Sequence, residues 1–338
     1  MPLQKHILVI RLSAMGDVAI SVPVLRAFTE KNPDVKITVL TRTFFAPIFE
    51  HITNVSVFKA DLKGEHKGVF GLYKLSKQLK ALGITEIADL HNVLRTNILK
   101  TFLFGTKCVQ IDKGRAEKKA LVSGKIFEPL KSSHERYADV FRALGYQLDL
   151  TNPIIEPSQQ FPVGFPEEFK HKPLIGIAPF AQYESKTYPL DQMKIVINLL
   201  SKDYNILLFG GGTKEQEQLE FIEKDDSNIF NVVGKFTFTQ ELAIISNLDL
   251  MLSMDSGNGH LAAMFGVKVI TIWGNTHPYA GFVPFNQPDS HQLVPNRENY
   301  PLIPTSIFGK NVPENYKTVA GTISPTTVIT CLETVLNN

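Results

Sequence analysis

Asp17 is the residue of the amino-terminal half best placed to do chemistry. It follows a strand-like apolar run at 6–12 and a turn containing Gly16, and it precedes a helix-like run at 18–30. This order places a carboxylate outside the carboxyl end of a predicted strand, where α/β proteins bind ligands and where it could accept a proton. An Asp in the first turn of a helix also caps backbone N–H groups, so a purely structural role is the alternative.

A second turn, in the carboxy-terminal half, has the composition of an anion-binding site. The turn at 253–263 follows an apolar run and leads into a helix-like stretch, which predicts exposed N–H groups at the positive end of a helix dipole. Ser256 and His260 could add hydrogen bonds to phosphate or ribose, and Asp255 either contacts the ligand or bonds the backbone of its own turn. A tight turn without a ligand is the alternative. The predicted ligand-binding residues are Asp255, Ser256, Gly257, Asn258, Gly259 and His260.

The elements that would position these turns alternate along the chain. Strand-like and helix-like runs follow each other in both halves, which is the pattern of parallel sheets covered by helices. The strand-like runs lie at 6–12, 36–42, 84–90, 107–112, 174–178, 204–209, 229–233, 248–252 and 268–273.

A Pro-rich polar stretch at 152–166 interrupts this alternation and predicts a linker. Residues 275–322 show little periodicity and are predicted to form an extended surface segment. A capped helix-like run begins after Ser324. We therefore predict two α/β domains, at 1–155 and 167–322, followed by a terminal helix at 323–338.

The net charge of +2 is unevenly distributed. Residues 1–150 contain 23 Lys and Arg against 14 Asp and Glu, a net charge of +9, whereas residues 151–338 contain 12 against 19, a net charge of −7. Solvated helix faces would explain the basic half, and so would a polyanionic partner or an anionic membrane surface. We expect no nucleic-acid partner.

Composition also restricts the location of the protein and its use of metals. No apolar run approaches the roughly 20 residues that span a membrane, and the amino terminus does not have the pattern of a secretory signal. The two cysteines, Cys108 and Cys331, lack metal-ligand spacing and indicate a reducing compartment, so we expect a cytoplasmic protein. The chain contains no Asp-x-Asp motif, a pair of carboxylates that binds a divalent metal ion in some enzymes, which predicts no metal cofactor.

Several segments resemble the signatures of the lipopolysaccharide heptosyltransferases, glycosyltransferase family 9. Three positions depart from that family: Asn92 stands at a usual Gly, Tyr188 replaces a Trp, and Asn-Thr-His-Pro at 275–278 stands where the family usually has Pro-Thr-Asp-Pro. The resembling segments are Ser-Ala-Met-Gly-Asp-Val at 13–18, Asp-Leu-His-Asn-Val-Leu-Arg-Thr at 89–96, His-Glu-Arg-Tyr at 134–137, Lys-Thr-Tyr-Pro at 186–189 and Asp-Ser-Gly-Asn-Gly-His-Leu-Ala at 255–262.

The resemblance implies a GT-B fold, in which two Rossmann-like domains with parallel sheets face a central cleft. It implies that the domain at 1–155 binds the acceptor and that the domain at 167–322 binds a nucleotide sugar. It also implies that the helix at 323–338 packs back on the amino-terminal domain.

The chemistry that the resemblance implies is an inverting transfer of a heptose, or a related sugar, from ADP-heptose. Asp17 would be the general base, and Lys186 would neutralise the departing diphosphate. The acceptor would be an anionic lipopolysaccharide core, with a peripheral contact at the cytoplasmic face of the inner membrane as a second possible partner. The candidate acceptor-binding residues are Ser13, Met15, Gly16, Arg95, Lys113 and Arg115.

Other functions remain open on sequence grounds, because a fold does not determine a reaction. The alternatives are a sugar-nucleotide epimerase or hydrolase with the same GT-B architecture, and a non-catalytic nucleotide-binding protein. A dehydrogenase would need Gly-x-Gly-x-x-Gly after the first strand, and this turn contains only Gly16.

Overall fold

The computed structural model describes residues 5–224 and 226–337 and divides the chain into two compact units. Each unit contains one parallel sheet accompanied by helices, so the predicted α/β class with two parallel sheets is confirmed. Among the described helices, none is both long and apolar enough to cross a membrane. The first unit consists of Met1–Lys113 and Ser133–Ile154, and the second of Gly114–Ser132 and Ile155–Asn338.

The described strands are β1 (His6–Ile10), β2 (Lys36–Arg42), β3 (Val55–Ala60), β4 (Glu86–Asp89), β5 (Lys107–Gln110), β6 (Leu174–Ala178), β7 (Asn205–Leu208), β8 (Ile229–Asn231), β9 (Leu250–Met254), β10 (Lys268–Ile272) and β11 (Gln292–Leu293). The described helices are α1 (Met15–Lys31), α2 (Gly68–Lys80), α3 (Leu94–Phe102), α4 (Arg115–Val122), α5 (Ser133–Leu144), α6 (Leu190–Leu200), α7 (Thr213–Glu223), α8 (Phe238–Ile245), α9 (Gly257–Ala263) and α10 (Pro325–Asn337).

Strand β1 lies in the middle of the first sheet, whose order is β3-β2-β1-β4-β5. All of its residues are buried, which is typical of a parallel strand with both faces covered. Val9 is paired with Val39 of β2 and with Ala88 of β4. The carboxyl ends of β1 and β4 therefore lie side by side, and the turn with Asp17 follows one of them while the loop with His91 follows the other.

Three elements were not predicted from the sequence: the strand β3, the helix α4 and the two-residue strand β11. β3 is an edge strand that pairs only with β2, and most of its residues are half-buried or exposed. A strand covered on one side carries a weaker apolar pattern than a central one. Its stability depends on pairing with β2, which the local sequence does not reveal.

The second sheet has the order β11-β10-β9-β6-β7-β8, and all its paired strands are parallel. Ile177 of β6 is paired with Leu252 of β9, so the loop after β6 and the turn after β9 emerge at the same edge. These two connections carry Lys186 and Asp255. The sheet topology thus brings two predicted site residues into one neighbourhood.

Helix α10 completes the core of the second unit. It packs against α6 and β10, and its buried Val328 and Leu332 belong to the same apolar cluster as Val196 and Ile197 of α6. A helix of this length is only marginally stable on its own, so burial of these side chains supplies most of its stability.

The segment 114–132 belongs to the second unit, although the sequence analysis placed it in a domain at 1–155. The Leu130 N–H donates to the carbonyl oxygen of Tyr279 at 2.9 Å, and the Phe127 ring lies 4.8 Å from the ring of Tyr279. These contacts join residues about 150 positions apart. They leave no periodic signal in the sequence, so the predicted boundary differs from the observed one.

Residues 275–322 are not simply an extended surface segment, as their lack of periodicity suggested. Asn275 and Thr276 are fully buried, and Ile303 packs with Tyr316 and Val319 in a small apolar cluster. The segment lacks long helices and strands but covers the carboxyl edge of the second sheet beside Lys186.

Candidate active site

Asp17 occupies the first turn of α1, as predicted, and forms an ion pair with Arg11. The Arg11 side chain is 7% exposed and that of Asp17 is 34% exposed. Arg11 also donates to the carbonyl oxygen of Leu90 at 2.7 Å, and the Ala14 N–H lies 3.4 Å from the Asp17 carboxylate. A buried guanidinium therefore holds a carboxylate that remains partly exposed to solvent.

Tyr137 of α5 contacts both this turn and Arg11. Its hydroxyl donates to the carbonyl oxygen of Asp17 at 3.3 Å, and the Arg11 guanidinium lies 5.7 Å from the centre of its ring. Burial raises the pKa of Tyr137 well above its ordinary value, so the hydroxyl remains a donor. Tyr137 belongs to the His-Glu-Arg-Tyr segment singled out in the sequence, and its role here is to hold the start of α1.

Asp89 organises the neighbouring loop between β4 and α3. Its buried carboxylate accepts the His91 and Asn92 N–H groups at 3.0 and 2.8 Å and the Thr96 hydroxyl at 2.9 Å, and it pairs with Lys100 at 2.7 Å. Asn92 has a φ of +42°, in the left-handed region that glycine adopts without strain and asparagine tolerates. The left-handed backbone is consistent with the Gly that family 9 sequences usually have at this position.

This loop brings His91 next to the Asp17 turn. His91 Nε2 lies 3.5 Å from the hydroxyl oxygen of Ser13. Burial, with a contribution from the Arg11 charge, lowers the pKa of His91 to about 4, so the ring is neutral near pH 7. A neutral imidazole can exchange hydrogen bonds beside Asp17 without adding charge.

The remaining candidate acceptor-binding residues differ in burial and in the unit to which they belong. Met15 and Gly16 share the turn of Asp17 and are half-buried, whereas Arg95 is exposed on α3. Lys113 ends the first segment of the first unit, and Arg115 opens α4 in the second. The predicted basic pair is thus divided between the two units.

Lys186 and Asp255, which the sequence singled out separately, form an ion pair in the second unit. Lys186 Nζ lies 2.7 Å from Asp255 Oδ2, and both side chains are largely buried. The Thr276 hydroxyl donates to the same carboxylate oxygen at 2.9 Å. Thr276 was missed by sequence reasoning, although it is the Thr that Asn-Thr-His-Pro at 275–278 shares with the usual Pro-Thr-Asp-Pro of family 9.

Two glycines leave room for Lys186. A Cβ atom on Gly274 would lie 2.5 Å from the carbonyl oxygen of Ser185, and one on Gly309 would lie 2.7 Å from Lys186 Cδ. The Ser185 hydroxyl donates to the Gly309 carbonyl oxygen at 2.8 Å, which fastens the two loops together. The aliphatic stem of Lys186 therefore rests on a glycine more than 120 residues away in the sequence.

This contact makes Gly309→Ala a sharp test of Lys186 positioning. The φ of Gly309 is +87°, so alanine adds backbone strain as well as a clash with the Lys186 stem. We expect kcat to fall about tenfold, as a displacement of the order of 1 Å can cost more. Gly164→Ala is the matched control, because Gly164 has a φ of +89° with nothing within 4 Å of its Cβ position. Equal kcat losses in both variants, measured in steady-state kinetics, would reduce the Gly309 effect to general strain.

The turn at 255–260 is closely packed and contains a buried hydroxyl, that of Ser256, without a partner in the described part of the chain. The Ser256 hydroxyl is buried without a hydrogen-bond partner among residues 5–224 and 226–337, and it does not cap α9. Buried hydroxyls are normally satisfied, so this one is suited to a ligand. Gly259 has no space for a side chain, since its Cβ would lie 2.6 Å from the Ser253 hydroxyl oxygen. Gly257 and Asn258 are half-buried at the start of α9, and His260 is buried.

His277, which stands where family 9 sequences usually have an aspartate, caps a short turn. Its Nδ1 accepts the Tyr279 N–H at 3.2 Å, which only a ring nitrogen without a proton can do. Burial, together with the Arg297 charge, lowers the pKa of His277 to about 4. A neutral histidine therefore caps the short turn at 278–280.

The lowered pKa of His277 predicts that the protein loses stability below neutral pH. Between about pH 4 and 6.5 the unfolded chain binds a proton that the folded chain excludes, so the free energy of unfolding falls as the pH falls. From pH 7.5 to 5 the contribution of His277 is about 2 kcal/mol, from its shift to about 4. In urea unfolding, the free energy of unfolding of His277→Gln should fall by about 2 kcal/mol less than that of wild type from pH 7.5 to 5. His171→Gln changes a histidine at an exposed position and should behave as wild type. An unchanged pH slope in His277→Gln would contradict the assignment.

Tyr188 takes the position of the family tryptophan and is fully buried. Its hydroxyl donates to the carbonyl oxygen of Ile323 at 2.7 Å, and its backbone N–H lies 3.2 Å from the sulfur of Met254. The phenol therefore ties the loop after Lys186 to the residues before α10.

A family model matches the part of the chain that contains Lys186, Asp255 and Thr276, whereas Asp17 and Gly309 lie outside the matched range. Residues 72–303 match the model described as glycosyltransferase family 9 (heptosyltransferase), which is more than half of the chain. The chain belongs to glycosyltransferase family 9. It is therefore a glycosyltransferase, and the resemblance noted in the sequence is confirmed.

Individual family 9 proteins are similar over most of their length. The lipopolysaccharide core heptosyltransferase OpsX of Haemophilus influenzae is 27% identical over 302 residues, covering 85% of this chain and 83% of that protein. A glycosyltransferase family 9 structure from Veillonella parvula superposes with a TM-score of 0.77 at 22% identity, covering 100% and 99% of the two chains. The structure of E. coli heptosyltransferase WaaC with ADP gives a TM-score of 0.71 at 18% identity, covering 98% and 99%. These structures share the GT-B fold with this glycosyltransferase.

Proposed function

We propose that this family 9 glycosyltransferase transfers heptose from ADP-heptose to an anionic lipopolysaccharide core acceptor, with inversion and without a metal ion. The relatives support the donor and acceptor: one is named a lipopolysaccharide core heptosyltransferase, and E. coli WaaC has been solved with ADP and with ADP-2-deoxy-2-fluoro heptose. We assign acceptor binding to the first unit and nucleotide-sugar binding to the second.

The observation that carries the proposal is the buried Lys186 ammonium, held 2.7 Å from Asp255 beside the unsatisfied Ser256 hydroxyl. When the bond to the anomeric carbon breaks, negative charge develops on the departing diphosphate. A preoriented cation stabilises that charge more than it stabilises the intact donor, which lowers the barrier. Lys186 would thereby supply the neutralisation that a divalent ion supplies in other transferases.

Asp17 would accept the proton of the acceptor hydroxyl. A sugar hydroxyl is a very weak acid, so the proton moves late, as the oxygen bonds the electron-deficient anomeric carbon. Arg11 holds the carboxylate in place and Tyr137 holds the backbone of its turn. Direct attack from the face opposite the diphosphate inverts the configuration at that carbon.

The finer assignments on the acceptor side remain predictions. Lipopolysaccharide cores are polyanionic, which fits the +9 charge of residues 1–150 and supports roles for basic side chains there. A cytoplasmic location remains a prediction in the same way. The proposed acceptor-binding residues are Ser13, Met15, Gly16, Arg95, Lys113 and Arg115.

Mass spectrometry of the reaction products tests the proposed function directly. The protein is incubated with ADP-heptose and a deacylated core acceptor, and UDP-sugars and GDP-sugars serve as donor controls. We expect an acceptor heavier by one heptose, formed only with ADP-heptose and also in the presence of EDTA. Release of free heptose without acceptor glycosylation would indicate a hydrolase instead, and transfer only from another nucleotide sugar would overturn the donor assignment.

A further inference from the structure

Helix α2 of the first unit exposes aromatic side chains where a surface helix normally presents polar ones. Its inner face buries Leu72, Leu75 and Leu79 in the core. Its outer face carries Phe70, which is 91% exposed, and the largely exposed Tyr73. A surface helix that exposes aromatic rings opposite its buried face often contacts something besides its own core.

The end of α3 extends this aromatic surface. The Tyr73 and Phe102 rings meet edge to face with their centres 5.4 Å apart, and α2 packs along α3. Phe104 follows two residues later and is 92% exposed. Two almost fully exposed rings, Phe70 and Phe104, therefore flank the contact between the half-exposed Tyr73 and Phe102.

Two lysines of α2 lie beside the rings of this helix. Lys74 and Lys77 lie four and seven positions after Phe70, on the same face of α2, and both are exposed. Lys74 also pairs with the exposed Glu65 at 2.9 Å, an exposed ion pair that holds it only weakly. Lys77 Nζ lies 4.6 Å from the centre of the Tyr73 ring. We call this region the basic aromatic surface, defined as Phe70, Tyr73, Phe104, Lys74 and Lys77.

We propose that the basic aromatic surface docks this glycosyltransferase on an anionic lipid bilayer. Aromatic side chains on an otherwise cationic helix face enter the headgroup region, while the lysine ammonium groups attract lipid phosphates. Both requirements are met by the same helix face. Segment 59–80, which has no counterpart among the motifs of the sequence analysis, thereby acquires a role.

Charge decides between a bilayer and a second copy of the chain as the occupant. Two copies meeting through this surface would bring Lys74 and Lys77 against the same lysines, within a half of the chain that carries a net charge of +9. Like charges facing each other oppose such an interface, whereas an anionic bilayer compensates them. The inference also rests on the proposed function in one respect, since a lipopolysaccharide acceptor is itself lipid-anchored.

Vesicle sedimentation with the full-length protein tests the docking without requiring any activity. Wild type should sediment with vesicles of phosphatidylcholine containing phosphatidylglycerol, but not with phosphatidylcholine alone, and added salt should release it. The double variant Phe70→Ser/Phe104→Ser should bind about tenfold more weakly, because two exposed rings no longer enter the interface. Lys74→Glu/Lys77→Glu should weaken binding by about tenfold or more.

Phe221→Ser is the matched control. Phe221 is 66% exposed on α7 and lies 4.2 Å from Lys194 Nζ, but its own helix is rich in Glu. It should leave vesicle binding unchanged. Two results would overturn the inference: vesicle binding of Phe70→Ser/Phe104→Ser equal to that of wild type, or a wild-type dimer in solution that this variant converts to a monomer.

Activity on two acceptors separates this inference from the proposed function. With a soluble deacylated acceptor, Phe70→Ser/Phe104→Ser should retain wild-type turnover, because neither residue belongs to the Asp17 or Lys186 neighbourhoods. With an acceptor embedded in anionic vesicles, its rate should fall in parallel with its binding. Equal rates of both proteins on the embedded acceptor would argue against docking, and absence of transfer by wild type to either acceptor would argue against the proposed function.

Discussion

Asp17→Asn should lower kcat about 10³-fold, within the range of a positioned general base. Asparagine retains an oxygen that can accept the Ala14 N–H, and it nearly preserves the shape of the side chain, but it cannot take a proton from the acceptor hydroxyl. Because Asp17 lies in the first unit and we assign the donor to the second, KM for ADP-heptose should change little. Steady-state kinetics with a soluble acceptor measures both constants, and a loss in kcat alone indicates an interaction made in the transition state.

Two measurements keep this result from being mistaken for unfolding. Asp34→Asn removes another carboxylate from the first unit, at an exposed site, and should leave kcat unchanged. ADP should raise the melting temperature of Asp17→Asn as much as that of wild type, since ligand-linked stabilisation depends on donor-site affinity. If Asp17→Asn keeps more than about a tenth of the wild-type kcat, Asp17 is not the base and its pairing with Arg11 is structural.

Lys186→Met should lower kcat about 10²-fold to 10³-fold, the range observed when one preoriented electrostatic contact to a developing charge is removed. Methionine preserves most of the aliphatic stem that packs on Gly309 and removes only the charged end. Affinity for ADP should also fall, because the ammonium would contact the diphosphate before as well as during the reaction. Single-turnover rates and ADP titration by calorimetry separate the two effects.

The pairing of Lys186 with Asp255 requires its own control. Removing the lysine leaves Asp255 bonded to Thr276, so part of any stability loss comes from a less compensated carboxylate. Lys202→Met, at an exposed position of the same unit, should change neither kcat nor ADP affinity. Restoration of Lys186→Met activity by added Mg²⁺ would show that the role is charge neutralisation, whereas a kcat equal to that of wild type would exclude Lys186 from the reaction.

The local sequence was sufficient to locate the strands and turns that carry the proposed site residues. Asp17, Lys186 and Asp255 each follow a buried strand, and the apolar runs before them predicted those strands closely. Short-range patterns of this kind depend on burial of a central strand and on turn chemistry, both of which are written within about ten residues. The same patterns predicted the two parallel sheets and the terminal helix.

The contacts between distant parts of the chain were decided by the tertiary structure. Thr276 and Gly309 reach Lys186 and Asp255 from a segment without periodicity, and the segment 114–132 joins the second unit through Tyr279. Such contacts depend on which surfaces meet after the sheets form. A sequence pattern records the burial of each element but not its neighbour.

The sequence by itself therefore determined which residues we propose for the chemistry: a carboxylate after β1, a lysine after β6 and a polar turn after β9. The tertiary structure decided how each is held, through Arg11 for Asp17 and through Asp255 and Gly309 for Lys186. The reason is physical. Residue type and local burial are properties of short segments, whereas ion pairs and close packing at a site require side chains from elements that only the folded sheets bring together.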